Sequence, residues 1–342
     1  MVAWLRELVG AEQVLTGGPL FEAHLRGMRV GLGSAAAVVS PGSLGEAVRV
    51  LEACAQAGVP VFTQGRNTGL TGGSVARAGG VLLSMARLTR VVPLDAEGRH
   101  VLCWAGAGIQ DLALLLGQRF GRDVHTVLGS SFLNPTVAAG IALGSGGTQL
   151  RKGPVYTERL LYARVDAEGR VEVVDTLDLA LPPGTTALEL LDSGAEPRAA
   201  PSARLASDAA RYSHALAARD GAVTRCNADT RGPEPLRSEG HVLVLASVHD
   251  SFARPASAET LWIATDSFDV CRELRDVMLQ NDADLPGAYE YMNRDALHVV
   301  DRAGRACKRG EVSRMFPFKI RNSVCFGQCI WCRGCSGAHV DA

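Results

Sequence analysis

The chain has 342 residues, which corresponds to roughly two folding units of about 150 residues each. Hydrophobic residues make up 47% and charged residues 21%, a composition that excludes intrinsic disorder, collagen and coiled coil. The formal net charge of −1 gives no reason to expect a nucleic acid as a partner.

The first clear element is a predicted helix from Ser43 to about Gln56. Ser43 and Glu46 have the spacing of a capping box, and apolar residues follow at 44, 48, 51 and 55 on one helix face. Gly58 is expected to end the helix. A strand at 59–63 comes next.

Short strands and helices then alternate along the chain. We predict a strand at 80–84, a hairpin turn at 95–98 leading to a strand at 101–104, and helices at about 109–117 and 136–143. Further strands are predicted at 160–165 and 171–174, joined by a hairpin turn at 166–169, and at 241–247. A strand at 260–265 and a helix at 267–280 follow. Residues 193–209, rich in Ala, Pro and Ser, predict a loop. This mixture indicates an α+β fold rather than a doubly wound sheet.

A glycine-rich loop follows the first predicted strand. The segment Gly65–Ser74 (GRNTGLTGGS) holds four glycines in ten residues, with Asn67 and Thr68 as further polar groups. Backbone without side chains lets several N–H groups converge on one anion, which suits a pyrophosphate, and Arg66 adds a positive charge. A glycine-rich surface loop without a ligand is the alternative for this segment alone. The spacing disfavours a P-loop, because no Gly-Lys-Ser/Thr follows.

A second glycine-rich region spans residues 129–147 (GSSFLNPTVAAGIALGSGG). Its small residues at 138–147 would let a flat, rigid ligand lie against the backbone. A tightly packed helix and turn is the alternative. The two regions lie about 60 residues apart in the sequence, so one folded unit can place them on either side of a cofactor.

The segment Gly31–Ala36 fits the dinucleotide fingerprint G-x-G-x-x-A. That fingerprint requires a helix immediately after the glycines. Val38, Val39 and Pro41 follow instead and disfavour a helix. We therefore do not expect a Rossmann NAD site here.

At these residues the chain resembles the quinone-dependent D-lactate dehydrogenases, FAD enzymes of the vanillyl-alcohol-oxidase-like fold. The resemblance is carried by NTGLTGGS at 67–74, HTVLGSSFLNPTVAAGIALGSGG at 125–147, RKGPVYTE at 151–158, RCNAD at 225–229, HVLVLAS at 241–247 and GAYEYMNRD at 287–295. It covers roughly residues 1–302. The resemblance implies a PCMH-type FAD-binding domain of two subdomains, followed by an incomplete cap domain.

The resemblance also implies which residues bind the cofactor. The FAD pyrophosphate would be held by Gly65, Arg66, Asn67, Thr68, Gly69, Gly73 and Ser74. The flavin and its ribityl chain would be lined by Gly129, Thr136 and Gly146, and Val244 would contact the cofactor from the following strand.

The activity implied by the resemblance is the FAD-dependent oxidation of D-lactate to pyruvate, with hydride passing to flavin N5 and electrons then passing to a membrane quinone. The expected partners are a small 2-hydroxy acid and a quinone. Two alternatives stay open: an FAD-binding remnant without turnover, and a related dehydrogenase that acts on glycolate or another 2-hydroxy acid.

We expect a cytoplasmic protein. The start MVAWLRELVG lacks the long apolar core of a secretory leader, and no window reaches 18 consecutive apolar residues. Cys54, Cys103, Cys226 and Cys271 are scattered singly, as in a reducing compartment. The resemblance implies peripheral association with the inner membrane, through a basic surface in a part of the family's length that has no counterpart in this chain.

Two departures from the family concern the site. Residues 237–240 (RSEG) stand where the family usually has a Ser-Gly-x-Ala-Gly stretch, and a carboxylate at Glu239 is unfavourable near an anionic cofactor unless it faces solvent. The family's catalytic histidine and arginine have no counterpart that can be aligned, so no catalytic residue is assigned. His298, alone in an apolar stretch, is predicted to be a packing residue rather than a base.

The end of the chain differs in composition. Residues 302–342 carry eight Lys/Arg against two Asp/Glu and hold five of the nine cysteines. Cys325, Cys329, Cys332 and Cys335 have a spacing that could bind an iron–sulfur cluster or zinc. The abrupt change in charge and composition near residue 302 indicates a non-native tail, and we predict no metal site.

These observations predict a three-part organisation. An FAD-binding domain occupies 1–250, with subdomains at about 30–95 and 96–250. The start of a cap follows at 251–302, and a basic, cysteine-rich tail occupies 303–342.

Overall fold

The structure is a computed structural model that describes residues 1–77, 79–124, 133–145, 155–201, 206, 233–254, 256–278, 286, 288–307 and 325–333. The chain divides into two compact units. The first comprises residues 1–147, 154–208 and 230–254, and the second comprises residues 148–153, 209–229 and 255–342.

Four strands form the first sheet of the first unit: β1 (Val14–Leu15), β2 (Ala35–Val39), β3 (Val61–Gln64) and β4 (Gly80–Ser84). Their order is β1–β2–β4–β3, in which β4 runs parallel to both β2 and β3, and β1 runs antiparallel to β2. The helices of this part are α1 (Val2–Val9), α2 (Pro19–Leu25) and α3 (Leu44–Gln56), with a 3-10 turn at Ala11–Gln13. Strand β4 is buried along its whole length, as is typical of a strand inside a parallel sheet.

Strand β2 starts inside the segment that fits the dinucleotide fingerprint. The glycines at 31 and 33 therefore lead into a strand and not into a helix, which confirms that this is not a Rossmann site.

The second sheet of the first unit is antiparallel. Its strands are β5 (Val91–Pro93), β6 (His100–Trp104), β8 (Leu160–Val165), β9 (Val171–Asp175) and β10 (Leu243–Asp250), while β7 (Arg122–Asp123) pairs separately with β11 (Phe252–Ala253). The sheet order is β5–β6–β10–β8–β9. The two predicted hairpins, β5–β6 and β8–β9, are confirmed, and β10 lies between them with a register shift between Val244 and Ala246.

Three short helices accompany this sheet: α4 (Ile109–Leu115), α5 (Val137–Ala142) and α6 (Ala187–Asp192). Helix α4 continues into a π-helical turn at Leu116–Phe120. The mixed parallel and antiparallel sheets with flanking helices confirm the predicted α+β class.

Helix α3 confirms the predicted start at Ser43. The Glu46 carboxylate, however, bonds to a different backbone N–H group from the one expected in a capping box. The Ser43 hydroxyl accepts a hydrogen bond from Glu46 N at 3.1 Å, whereas the Glu46 carboxylate accepts from Gly42 N at 2.6 Å. The Asp192 carboxylate from the end of α6 accepts from Leu44 N at 2.8 Å and from Gly45 N at 2.6 Å. An acidic group from far along the chain thus satisfies the first turn of α3 and complements its dipole.

One hydrophobic core joins the two sheets of the first unit. It includes Val39 and Val81 from the first sheet and Leu102, Leu161 and Leu245 from the second. Burial of this apolar surface is the main favourable contribution to folding.

The buried thiols of this core are expected to be unreactive in the native protein. Burial raises the pKa of the Cys54 thiol to about 11, and burial also raises the pKa of Cys103. At about pH 8 the thiolate fraction at Cys54 is therefore about one in a thousand, and the thiolate is the nucleophile. Iodoacetamide labelling followed by peptide mass mapping checks this. Peptides containing Cys54 and Cys103 should stay unmodified until guanidinium unfolds the chain, and rapid labelling of native Cys54 would contradict the expectation.

The second unit contains a three-stranded antiparallel sheet of β12 (Ser257–Thr265), β13 (Ala288–Asn293) and β14 (Cys325–Arg333), in the order β12–β14–β13. Its helices are α7 (Phe268–Met278) and α8 (Arg294–Cys307). The prediction that His298 packs in a core is wrong, because its short apolar stretch belongs to α8 and His298 is exposed there.

The alternative metal site of the tail falls outside the described side chains: Cys335 is not described, and only the backbone is described at Cys325, Cys329 and Cys332. Among the side chains that are described, no group of three or more His, Cys, Asp or Glu is placed to hold a metal ion. Within the same described part of the chain, no helix has the length and apolar character needed to cross a membrane.

Candidate cofactor site

The first unit contains a cavity of about 780 Å³. This volume lies within the range of about 300–1,000 Å³ that is typical of ligand sites. The cavity is lined by residues 63–71, 73–74, 135–136, 138–140, 142–143, 145, 239–240 and 242–244, together with Met85 and Ala105.

The structure brings together every described residue that was predicted to contact the cofactor. Gly65, Arg66, Asn67, Thr68, Gly69, Gly73, Ser74, Thr136 and Val244 all line this cavity. The predicted residues Gly129 and Gly146 lie outside the described residues.

The first glycine-rich loop leaves the sheet where β3 ends, and it approaches the second region closely at Gly65. A Cβ atom placed on Gly65 would overlap the Thr136 hydroxyl and would lie 2.9 Å from the Thr136 methyl carbon. Glycine is therefore required at this position by packing within the protein.

Two other glycines of the loop have space for a Cβ atom. A Cβ atom on Gly69 would meet no atom within 4 Å, and a Cβ atom on Gly73 would lie 3.8 Å from Leu143 Cδ2. The surrounding protein therefore leaves room for a Cβ atom at both positions. Their absence keeps the backbone accessible from the cavity.

The side chains of Asn67 and Ser74 hydrogen-bond to each other across the loop. Ser74 Oγ donates to Asn67 Oδ1 at 2.8 Å, and Asn67 Nδ2 donates to the Arg26 carbonyl at 2.7 Å. Asn67 also has a left-handed backbone with φ of 52°. Both residues line the cavity, but these bonds show that they also hold the shape of the loop.

Arg66 is the one positively charged side chain among the described residues that line the cavity. Its guanidinium lies 3.4 Å from the Asp111 carboxylate on α4. The same carboxylate accepts from Asn134 Nδ2 at 3.0 Å and from Gly108 N at 3.3 Å. Asp111 thereby connects the first loop to the second glycine-rich region.

The second region forms a wall of small residues. Thr136 caps α5 by accepting from Ala139 N at 3.3 Å, and the cavity is lined along this helix by Ala138, Ala139, Gly140 and Ala142. Val244 on β10 lines the cavity as well. A surface built from such short side chains suits a flat ring system.

The segment 237–240 packs on the C-terminal end of α5. Arg237 N donates to the Ile141 carbonyl at 3.0 Å and Glu239 N donates to the Ala142 carbonyl at 2.8 Å. Both residues have positive φ, 57° and 50° respectively. Glu239 lines the cavity but its side chain is exposed, which meets the condition under which a carboxylate is tolerated beside an anionic ligand.

The set of groups fits a ligand that combines a diphosphate with a flat ring. The loop 65–74 offers accessible backbone and one guanidinium for the anion, and the α5 side offers small apolar side chains for the ring. FAD has both parts.

Sequence reasoning missed Gln64, which lines the cavity and is only 2% exposed. Its Nε2 donates to the His24 carbonyl at 3.0 Å and to the Ser74 carbonyl at 3.2 Å. Asp111 and Asn134 were also missed. The contacts of Asp111 with Arg66 and with Asn134 join residues that are 45 and 23 positions apart, so no local pattern could have identified them.

Replacing Gly65 with alanine is expected to destabilise the first unit by about 1–3 kcal/mol, because the added methyl group overlaps Thr136. Thr136→Ala alone should cost about 1 kcal/mol through the lost helix cap. The double variant should lose less than the sum of the two, since removing the Thr136 hydroxyl and methyl relieves the overlap. A denaturant double-mutant cycle measures this, and strictly additive losses would contradict the close contact.

Comparisons with known proteins find a matching domain model and several relatives. Residues 35–175 match the model of an FAD binding domain. Quinone-dependent D-lactate dehydrogenase from Escherichia coli (strain K12) is 34% identical over 315 residues, covering 88% of this chain and 54% of that protein. The enzyme of the same name from Haemophilus influenzae is 30% identical over 316 residues, covering 89% of this chain and 55% of that protein. The chain thus spans about half the length of these relatives.

Among solved structures, alkyldihydroxyacetonephosphate synthase aligns with a TM-score of 0.63 at 15% identity, covering 96% of this chain and 55% of that chain. At this identity the likeness shows the fold alone. Taken together, the comparisons show that residues 35–175 match an FAD binding domain and that the chain is similar to quinone-dependent D-lactate dehydrogenases over about half of their length.

Proposed function

We propose that this chain binds FAD in the cavity of the first unit and oxidises D-lactate to pyruvate, with a quinone as the electron acceptor. The observation that carries the proposal is the convergence on one cavity of the two glycine-rich regions, both of which lie in the part that matches an FAD binding domain. The names of the two quinone-dependent relatives support the choice of substrate and acceptor.

Each of the residues predicted to contact the cofactor has a proposed role toward FAD. The loop residues Gly65 to Gly69, with Gly73 and Ser74, hold the diphosphate through backbone N–H groups, and Arg66 contributes its charge. Thr136 and Val244 line the flavin and its ribityl chain. For Gly129 and Gly146 we propose the role implied by the family resemblance, which is to line the flavin and its ribityl chain.

When bound, FAD supplies the redox chemistry, as the group that accepts a hydride from the substrate carbon and releases electrons singly or in pairs. The chain's own contribution in the described part is to bind and orient. The wall of small side chains along α5 leaves space for the ring, and the fixed loop presents its backbone to the anion. No catalytic acid or base is assigned.

The domain roles and the location are also proposals. We assign FAD binding to residues 1–250, the start of a cap to residues 251–302 and the basic, cysteine-rich tail to residues 303–342. Because a quinone is dissolved in the lipid phase, we place the working protein on the cytoplasmic face of the inner membrane as a peripheral protein.

The test is reconstitution of the purified chain with FAD followed by anaerobic addition of D-lactate. Uptake should give a yellow protein with a flavin spectrum, and D-lactate should bleach it, after which a soluble quinone should restore the colour. A protein that stays colourless would overturn the cofactor assignment.

The same experiment separates the two alternatives. Bound flavin that D-lactate does not bleach would support the remnant without turnover, provided that dithionite still bleaches it. Bleaching by glycolate or another 2-hydroxy acid in preference to D-lactate would change the substrate and keep the flavoprotein. L-lactate is the matched control, since it differs from D-lactate only in configuration.

A further inference from the structure

The N-terminal segment 19–34 precedes the part that matches the FAD-binding-domain model, which begins at residue 35. Even so, this segment contacts the first glycine-rich loop at several points. Helix α2 contributes His24, and the residues after it contribute the Arg26 carbonyl and the turn around Gly31.

The hydrogen bonds of Gln64 define the role of His24. Both hydrogens of the Gln64 amide are used, since Nε2 donates to the carbonyls of His24 and Ser74. Gln64 Oε1 is therefore an acceptor, and it lies 2.6 Å from His24 Nδ1. It follows that His24 carries a proton on Nδ1 and donates it to Gln64.

This arrangement fixes both ends of the loop. Gln64 directly precedes the loop, and its amide binds the backbone of Ser74 at the far end. Within the loop, Asn67 donates to the Arg26 carbonyl at 2.7 Å and accepts from Ser74 Oγ at 2.8 Å. Gln64 is 2% exposed, so loss of the His24 donor would leave a buried oxygen without that bond.

We propose that His24 is a positioning residue of the cofactor site, and that the segment 19–34 is part of that site although it lies outside the matched domain. His24 acts through Gln64 to hold the loop 65–74 in the shape that lines the cavity. The predicted effect of His24 on FAD affinity rests on the proposed function. The predicted effect of His24 on the loop is independent of it.

The first measurement uses the full chain without added FAD and tests the loop directly. Trypsin cleavage after Arg66, followed by peptide mass, should be about tenfold faster in His24→Ala than in the parent, because the loop loses its anchor. His24→Asn should stay within about twofold of the parent, since its side-chain amide nitrogen stands at the position of Nδ1 and can donate to Gln64. Glu22→Ala, an exposed change on the same helix, is the matched control and should also match the parent.

The second measurement is FAD affinity by flavin fluorescence, with thermal denaturation of each variant alongside. His24→Ala should bind FAD about tenfold more weakly while His24→Asn binds normally. Equal cleavage and affinity in His24→Ala and the parent would overturn the proposal, as would a His24→Asn variant that is as defective as His24→Ala. If no variant and no parent binds FAD, the proposed function fails, and the cleavage data still decide whether His24 positions the loop.

Discussion

Replacing Gly73 with aspartate is expected to abolish FAD uptake. A Cβ atom at this position would lie 3.8 Å from its nearest neighbour, Leu143 Cδ2, so the first atom of the new side chain meets no clash. The new carboxylate would point into the space proposed for the diphosphate. At about 5 Å and an effective dielectric constant of about 20, repulsion between two unit charges is about 3 kcal/mol, which weakens binding by at least about a hundredfold.

Gly73→Asn separates charge from bulk, because asparagine has the same shape as aspartate and no charge. It should lose much less affinity than Gly73→Asp, and both variants should keep the melting temperature of the parent measured without FAD. Flavin fluorescence titration and thermal denaturation provide the two readouts. Equal losses in the two variants would place the diphosphate away from Gly73.

Replacing Arg159 with leucine is expected to cause a large loss of stability. Arg159 directly precedes β8 and is fully buried, with 0% exposure. Its Nε donates to the Leu177 carbonyl at 2.8 Å and its Nη2 donates to the Asp178 carbonyl at 3.3 Å. Arg159→Leu would leave these buried carbonyls without those donors. We expect a loss of about 3–5 kcal/mol in unfolding free energy and a melting temperature about 10 °C lower.

Arg170→Leu is the matched control for this experiment. Arg170 lies in the β8–β9 turn with its side chain 75% exposed, and its ion pairs with Asp166 and Glu168 are on the surface. Such pairs contribute at most about 1 kcal/mol, so this variant should melt close to the parent. A small effect at Arg159 would show that the buried guanidinium is dispensable to the fold.

The sequence was sufficient to predict those parts of the fold whose signals are local. Ser43 and Gly58 marked the ends of α3 because capping depends on neighbouring residues. The turns at 95–98 and 166–169 were found for the same reason, since Asp95 and Asp166 bond to backbone N–H groups two and four residues later. Helices α1, α2, α6 and α8 were not predicted. Three of them have eight residues or fewer, and tertiary packing has to stabilise helices this short.

The site was predictable where glycine clusters signal accessible backbone, as in the two glycine-rich regions. It was not predictable where one residue acts through another. His24 and Gln64 are 40 positions apart, and Asp111 and Arg66 are 45 apart. Only the folded backbone brings such pairs together, and the neighbouring residues in the sequence do not indicate that the two members of a pair are in contact.

The order of the second sheet has a consequence for synthesis of the protein. Strand β10 lies between two hairpins that are translated far earlier, so a nascent chain that ends before residue 243 has both hairpins and no strand to join them. Until then, β6 and β8 each present an unpaired edge, which is a template for association with other chains. The ribosome must therefore release about 250 residues before this half of the molecule can close, and chaperones that cover strand edges should matter most during that interval.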